Sequence, residues 1–436
     1  MAGRRSQSMI RDDHNKSEPT HSINAQPPRP ESGGPRSQPL PLIGIAGTRG
    51  KSTVAWMLTS IFEAAGKPSA AWLSSGVYVD GDRQLGELGP WSRVVLAARH
   101  GEIDFAIQEM DATTVVGAGL PENSYPLAVL TTLCGNNEAC LLTEETEMVR
   151  RALDAVVGSV RGDGRIIVNA DDYDVAALGT ESSREGIFYA LNRENPILQR
   201  HLENDGHGGW IDTQRIMYGT SQAAIPIIAI NDIPATLDGT ILFQSRNALA
   251  AVCAAMALGI SVKAVSDGLR SYQPLPDRQP GASNIIRYNQ ATILIDAPRE
   301  IGSLRMLARG IRHTPHRRTI VVTGGFPGLP DDEVPEAGRL LGGLAGIVLL
   351  HSENTSDARM ELIHQGIAAA TVPPIVLRVV DEAHAIDHLL NSIAPNDAAL
   401  VIVDDPAIAL GHLWPAPRIS VTSRRFRQSV VGSIPT

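Results

Sequence analysis

Gly44-Ile45-Ala46-Gly47-Thr48-Arg49-Gly50-Lys51-Ser52-Thr53 is the stretch on which the fold turns. The run Leu40-Pro41-Leu42-Ile43-Gly44-Ile45-Ala46 reads as a short buried strand. From Thr53 to Phe62 apolar residues recur at helical spacing, and the helix closes at Gly66. A Gly-rich turn between a strand and a helix is the setting a phosphate loop needs. Glycines let the backbone curl so that its amides point inward at an anion. The following helix presents its positive end to the same place. Lys51 would neutralise the β and γ phosphates of ATP, and the Ser52 hydroxyl would bind Mg²⁺. Gly47, Thr48, Arg49, Gly50, Lys51, Ser52 and Thr53 are therefore the candidate nucleotide-binding residues. Ile45 stands where the strict G-x-x-x-x-G-K-[ST] pattern has its first glycine, so the form here is G-T-x-G-K-S-T. A tight strand-to-helix connection is the plain alternative.

Outward from the loop, strand-like runs follow at Phe105–Ile107, Leu127–Leu130 and Arg165–Val168, with a helix expected from Glu145 to Val160. Strands alternating with helices imply a parallel sheet covered on both faces. Residues 185–243 are more β-like, and an Ala-rich helix is expected from Asn247 to Leu258, ending at Gly259. Composition turns to Pro, Asp and Gly between Pro274 and Gly281, which marks a boundary. Beyond it, short apolar runs near residues 292, 319, 346, 374 and 400 are separated by helical segments. The expected fold is α/β: a disordered tail over 1–38, a P-loop-type parallel-sheet domain over 39–275, and a smaller Rossmann-like α/β domain over 276–436.

A chain of 436 residues with 43% hydrophobic composition can bury two such cores. Its net charge of −9 argues against a nucleic-acid binder. Lys16, Lys51, Lys67 and Lys263 are its only lysines, so one of very few falls in the phosphate-loop pattern. Cys134, Cys140 and Cys253 form no metal or disulfide spacing and read as reduced thiols of a cytoplasmic protein. No run is long and apolar enough for a membrane span.

At these residues the sequence resembles the Mur ligase superfamily, and within it the C-terminal half of the cyanophycin synthetases. The resemblance runs from about residue 41 to about residue 410. Ser75–Gly81 resembles the segment after the first helix, with Gly89-Pro90 at the expected distance. Ala106-Ile107-Gln108-Glu109 resembles the strand ending in a Mg²⁺-binding glutamate, and Asn169-Ala170-Asp171-Asp172 the N-A-D-D turn. Asn195-Pro196, His201-Leu202 and Asp232–Thr236 are shared with the cyanophycin branch. Asn247–Ala251 resembles the opening of the helix beside the adenine, with Gln244 in place of its first asparagine. Pro276-Asp277-Arg278 resembles the P-G-R junction, and Asp296 the start of D-Y-x-H-N.

The resemblance implies a reaction in which ATP phosphorylates a carboxylate and an amine attacks the acyl phosphate. Ser52 and Glu109 are then the Mg²⁺ ligands. Gln244 and Asn247 join the nucleotide site. Arg278 reaches the γ-phosphate or merely solvates a linker. Asp296 holds the nucleotide, orients the amine, or caps the helix near Glu300. Asp171 and Asp172 are ligands or turn formers. In the cyanophycin branch the amine is that of arginine. Departures fall at site positions: Asn136-Asn137 replaces an aspartate–histidine pair, leaving Asn137 to offer an amide oxygen to the metal. Asp296-Ala297-Pro298-Arg299-Glu300 lacks the motif's histidine and asparagine, and Gly325–Asp331 replaces G-D-R-R-D-E. The twelve histidines are scattered, and His313 and His316 read as surface residues. An ATP-grasp half is not in the sequence, so the implied partners are a small-molecule or peptide carboxylate, an amino acid, a separate ATP-grasp protein and further copies of the chain. A stand-alone ligase resembling the poly-γ-glutamate synthases is one alternative, and a non-catalytic nucleotide-binding protein that docks on a synthetase is the alternative from another class.

Overall fold

The computed structural model describes residues 41–84, 94, 98, 100–133, 143–276, 278–298, 300–404 and 406–413. Two sheets organise them. The first has eleven strands: β1 (Leu42–Ala46), β2 (Ser69–Leu73), β3 (Gly76–Val79), β4 (Asp82–Arg83), β5 (Phe105–Glu109), β6 (Tyr125–Leu130), β7 (Val160–Asn169), β8 (Glu185–Ala190), β9 (Gly208–Asp212), β10 (Arg215–Gly219) and β11 (Ala224–Ala229). Their spatial order is β11-β10-β9-β8-β7-β6-β1-β5-β2-β3-β4. The run from β9 to β2 is parallel throughout. Hairpins add antiparallel strands at both ends. Central strands such as β1 are buried on both faces, Ile43 and Ile45 in one core and Ala46 in the opposite one, which is why they read as continuous apolar runs.

The helices of this part are α1 (Lys51–Ala64), α2 (Ala112–Ala118), α3 (Thr143–Ser159), α4 (Tyr173–Glu181), α5 (Pro196–Glu203), α6 (Leu242–Ala257) and α7 (Val262–Ser271). α6 starts several residues earlier than its alanines suggest, because Gln244, Ser245, Arg246 and Asn247 are buried polar residues and carry no apolar period. α1, α6 and α7 share one core with one sheet face, and α3 and α4 share another with the opposite face. A Cβ at Gly268 of α7 would overlap the Ile61 backbone of α1, so only glycine permits that crossing. β1 leads to α1 on one face, whereas β6 leads towards α3 on the other. The crevice between the carboxyl ends of β1 and β6 is thus a topological switch point, where α/β folds place ligands.

The second, smaller sheet contains β12 (Asn284–Tyr288), β13 (Ala291–Asp296), β14 (Thr319–Thr323), β15 (Ile347–His351), β16 (Ile375–Val379) and β17 (Ala398–Ile402), in the order β12-β13-β17-β14-β15-β16. All its pairs are parallel except β12 with β13. Helices α8 (Ile301–His313), α9 (Val334–Gly342) and α10 (Asp357–Ala368) cover one face. Helices α11 (Glu382–Ser392) and α12 (Pro406–Leu413) cover the other. The two sheets do not have wholly separate cores: Leu237 and Ile241, which precede α6, belong to the core under α8. The chain is therefore α/β throughout, with a large mainly parallel sheet and a smaller Rossmann-like one.

Candidate nucleotide and metal site

The loop after β1 curls as the sequence requires. Gly47 has φ 135° and Gly50 has φ 82°, both in the region that favours glycine. A Cβ on Gly47 would overlap the Thr131 hydroxyl beside it, and one on Gly50 would overlap the Asn247 side-chain oxygen. Gly50 caps α1, so the first amides of that helix face the hollow of the loop. Lys51 lies across this hollow, its Nζ donating to the Gly47 carbonyl at 2.8 Å. Burial pushes the lysine pKa down, and the nearby charges of Glu109 and Asp111 push it back up. A desolvated ammonium among inward-facing amides is a site for phosphate oxygens.

Glu109 ends β5, the parallel neighbour of β1, and is one pleat beyond the buried Ile107. Its Oε2 accepts from Ser52 Oγ at 2.9 Å and from the Ser74 amide at 3.0 Å. Two oxygens at adjacent corners of a Mg²⁺ octahedron, with bonds of ~2.1 Å, lie about 3 Å apart. The Ser52–Glu109 pair fits that spacing. Among the described residues no group of three or more His, Cys, Asp or Glu side chains could hold a metal. A cation here would therefore complete its shell with phosphate and water oxygens, the usual habit of Mg²⁺. Asn136, Asn137 and Glu138 lie outside the described residues.

The loop's back wall is the segment after β6. The Thr48 amide donates to Thr132 O at 2.7 Å, its hydroxyl reaches the same carbonyl at 3.1 Å, and Thr131 Oγ1 donates to Ala46 O at 3.1 Å. Asn169 Nδ2 fixes Thr131 O at 2.7 Å. Asp172 accepts from the Leu133 amide at 2.8 Å and caps α4 through the Val175 amide. Asp171 accepts from the Leu191 amide at 2.9 Å and from Arg246 Nε at 3.3 Å. The N-A-D-D turn thus acts as a brace behind the phosphate loop. Gln244 and Asn247 meet on the first turns of α6, Asn247 Nδ2 donating to Gln244 Oε1 at 3.2 Å beside Gly50.

The second sheet comes up to the same loop. The Arg278 guanidinium lies over the Trp56 ring of α1, 4.8 Å from its centroid, within reach of a cation–π contact. It therefore packs on the loop helix and does not only solvate the linker. The Tyr272 hydroxyl donates to Gln279 at 3.2 Å and takes a hydrogen bond from Thr53, tying the linker to the end of the loop. Asp296 accepts from the Ser283 amide at 2.8 Å and from the Ser283 hydroxyl at 2.7 Å. Desolvation pushes its carboxyl up to about 6, although Ser283, the Ala297 amide and the Arg49 charge oppose the rise. The cap of α8 is Glu300 and not Asp296. Arg49 of the phosphate loop and Glu300 form an ion pair, both about three-quarters covered at 22% and 23% side-chain exposure. Asp277 and Arg299 lie outside the described residues.

Sequence reasoning passed over His351, which is fully buried at the carboxyl end of β15. Neither ring nitrogen has a hydrogen-bond partner among the described residues. Burial lowers its pKa, opposed by Asp404, Glu353 and Asp381, while burial raises that of Asp404. A Cβ at Gly324 would overlap both His351 and Asp404. β14 leads to α9 and β17 to α12 on opposite faces, so this cluster sits at the switch point of the second sheet. A histidine closing an apolar strand run was the available signal. His313 is exposed as expected, and His316 is half-buried, tied to Thr314 and Thr319.

Residues 45–255 match the sequence family of the Mur ligase middle domain. The chain is 23% identical over 374 residues to a cyanophycin synthetase of Nostoc sp., a match covering 84% of this chain and 41% of that protein. The chain thus spans less than half the length of that relative. It is 24% identical over 385 residues to the UDP-N-acetylmuramoyl-L-alanyl-D-glutamate–2,6-diaminopimelate ligase of Chlorobaculum tepidum, covering 84% of this chain and 72% of the relative. Among solved structures, MurF from Acinetobacter baumannii superposes with a TM-score of 0.59 at 17% identity, over 86% of this chain and 76% of that one. Escherichia coli FolC in complex with DHPP and ADP gives 0.58 at 16% identity, over 85% and 87%. At those identities the superpositions establish the fold. No described helix is long and apolar enough to cross a membrane.

Proposed function

We propose, from the premise that this Mur-ligase-like chain carries a Mur ligase middle domain, that it is an ATP- and Mg²⁺-dependent ligase joining a carboxylate to an amino acid. The observation that carries the reading is the Ser52–Glu109 pair, set 2.9 Å apart beside Lys51 on a correctly curled loop. That arrangement supplies a phosphate cradle and two oxygen ligands for one divalent cation. When bound, the cation would offset the charge that builds on the β and γ phosphates.

In the reaction, an oxygen of the substrate carboxylate attacks the γ-phosphorus and ADP leaves. The amine nitrogen then attacks the acyl carbon, inorganic phosphate leaves, and the ammonium proton passes to solvent or a nearby base. Lys51 and the loop amides hold the phosphates in line. Arg278 stands on Trp56 of the loop helix, and in this reading it neutralises charge on the transferred group. Asp296 faces the loop from the second sheet, with a carboxyl near neutrality at about 6. In this reading it orients the incoming amine. The amino acid would lie along the edge where β13, β17, β14 and β15 end, between the two sheets.

The test is phosphate release from ATP and Mg²⁺ across a panel of amino acids and short acidic peptides, beside a Lys51→Ala control. Release that requires both a carboxylate and an amine, and that vanishes in the control, is the expected result. Tight ATP binding without release under every combination would remove the catalytic reading from the isolated chain. It would then favour a nucleotide-binding protein that works with a partner synthetase.

A further inference from the structure

We infer that Glu300 is a positioning residue of the phosphate site, acting through Arg49: nucleotide phosphates compete with Glu300 for this guanidinium, so ATP binding unlatches α8 from the loop. The inference rests on the reading that the loop holds ATP.

Glu300 stands at the cap of α8. A side chain there ordinarily turns back to satisfy the helix's free amides. Glu300 makes no such bond, and its carboxylate pairs with Arg49. Arg49 sits between Gly47 and Gly50, the two residues whose backbone shapes the phosphate cradle. Its charge is also felt at Asp296. A guanidinium there faces two anionic claims, a protein carboxylate and a polyphosphate, and geometry favours whichever is bidentate and more highly charged.

The other end of α8 is anchored differently. Thr314 Oγ1 and Thr240 Oγ1 are 3.0 Å apart, and Gly310 leaves room for Ile241 and the Thr240 carbonyl. Leu237 and Ile241 pack into the core beneath α8. A helix of 13 residues spans about 20 Å. Packing holds it along its length, Ile301 and Leu304 included, and the ion pair is an added tie from its N-terminal cap to the loop. Breaking the pair removes that tie and leaves the helix seated on its core. Residues 237–241 lead directly into α6, whose Asn247 touches the Gly50 position, so anchor and nucleotide site share one piece of chain.

The experiment uses the full chain and measures equilibrium binding of ATP with Mg²⁺ for the native protein, Glu300→Gln, Arg49→Gln, the double variant and Lys51→Ala. Glu300→Gln should bind ATP about three- to tenfold tighter, because a fixed negative charge that competes for Arg49 is gone. Arg49→Gln should bind more weakly, and adding Glu300→Gln to it should change little, since the carboxylate acts through the arginine. In steady state, Glu300→Gln should lower KM for ATP without raising kcat, a split that simple loss of packing does not produce. Glu300→Asp should fall nearer the native protein. Unchanged or weaker ATP binding in Glu300→Gln, or full additivity with Arg49→Gln, overturns the inference. Native-like ATP binding in Lys51→Ala would instead overturn the phosphate-loop reading itself, whatever Glu300 does.

Discussion

Replacing Asp296 by asparagine should stabilise the protein above pH 6 while impairing the reaction. The carboxyl has an ordinary value of 3.8 and is pushed up to about 6 by burial at the end of β13. Below the lower value both folded and unfolded chains hold the proton, and the group contributes no pH dependence. Between the two values the unfolded chain releases the proton and the folded one keeps it. Stability therefore falls as pH rises, and levels off above about 6. A gap of roughly two powers of ten in proton affinity corresponds to about 3 kcal/mol. Asp296 is only partly covered, and water reaching it trims the figure to about 1–2 kcal/mol. An asparagine oxygen can still accept from the Ser283 amide and hydroxyl, as Asp296 does. Urea unfolding of both proteins from pH 4.5 to 8 is the assay. The stability gap should be small at the acid end, open up to pH 6, and then stay constant. Ligase turnover of the variant should drop at least about tenfold at pH 7.5, since the amine loses an anionic acceptor. A gap independent of pH, or asparagine destabilising above pH 6, would refute the reasoning.

The cradle and the metal corner give two further expectations. Gly50→Ala forces a left-handed residue, φ 82°, to carry a Cβ against Asn247; the backbone alone costs about 1–2 kcal/mol, so the urea midpoint should fall and ATP affinity with it. Glu109→Gln removes the anionic partner of Ser52, so the Mg²⁺ concentration for half-maximal phosphate release should rise at least about tenfold, with ATP binding in the absence of metal little changed.

The scaffold was legible because its signals are local. The apolar run Leu42–Ala46, the Gly47 and Gly50 turn and the α1 period are each written within a few residues, and β1, the loop and α1 follow in that order. Glu109 came from the resemblance of Ala106–Glu109 to a strand of that superfamily, and the parallel register with β1 brings it next to Ser52. The start of α6 was not legible, because Gln244 to Asn247 are polar residues buried for their contacts with Asp171, Gly50 and each other. The role of Asp171 and Asp172 was open between ligand and turn for a similar reason: each holds backbone amides from segments 20 and 39 residues away. His351 was hidden among twelve histidines because its meaning comes from the order of strands, which brings β14, β15 and β17 together.

The same distinction bears on the residues that depart from the superfamily's pattern. In the sequence, Arg49 is one of several candidate nucleotide-binding residues in the phosphate loop, and Glu300 ends a stretch that lacks the resembled motif's histidine and asparagine. Taken singly, a cation in the loop is ordinary and an acid at Glu300 reads as erosion. In space the two form one ion pair, three-quarters covered, between the loop and α8. The acid at Glu300 therefore has a counter-charge in the phosphate loop, and it is better read as a contact between the loop and α8 than as erosion.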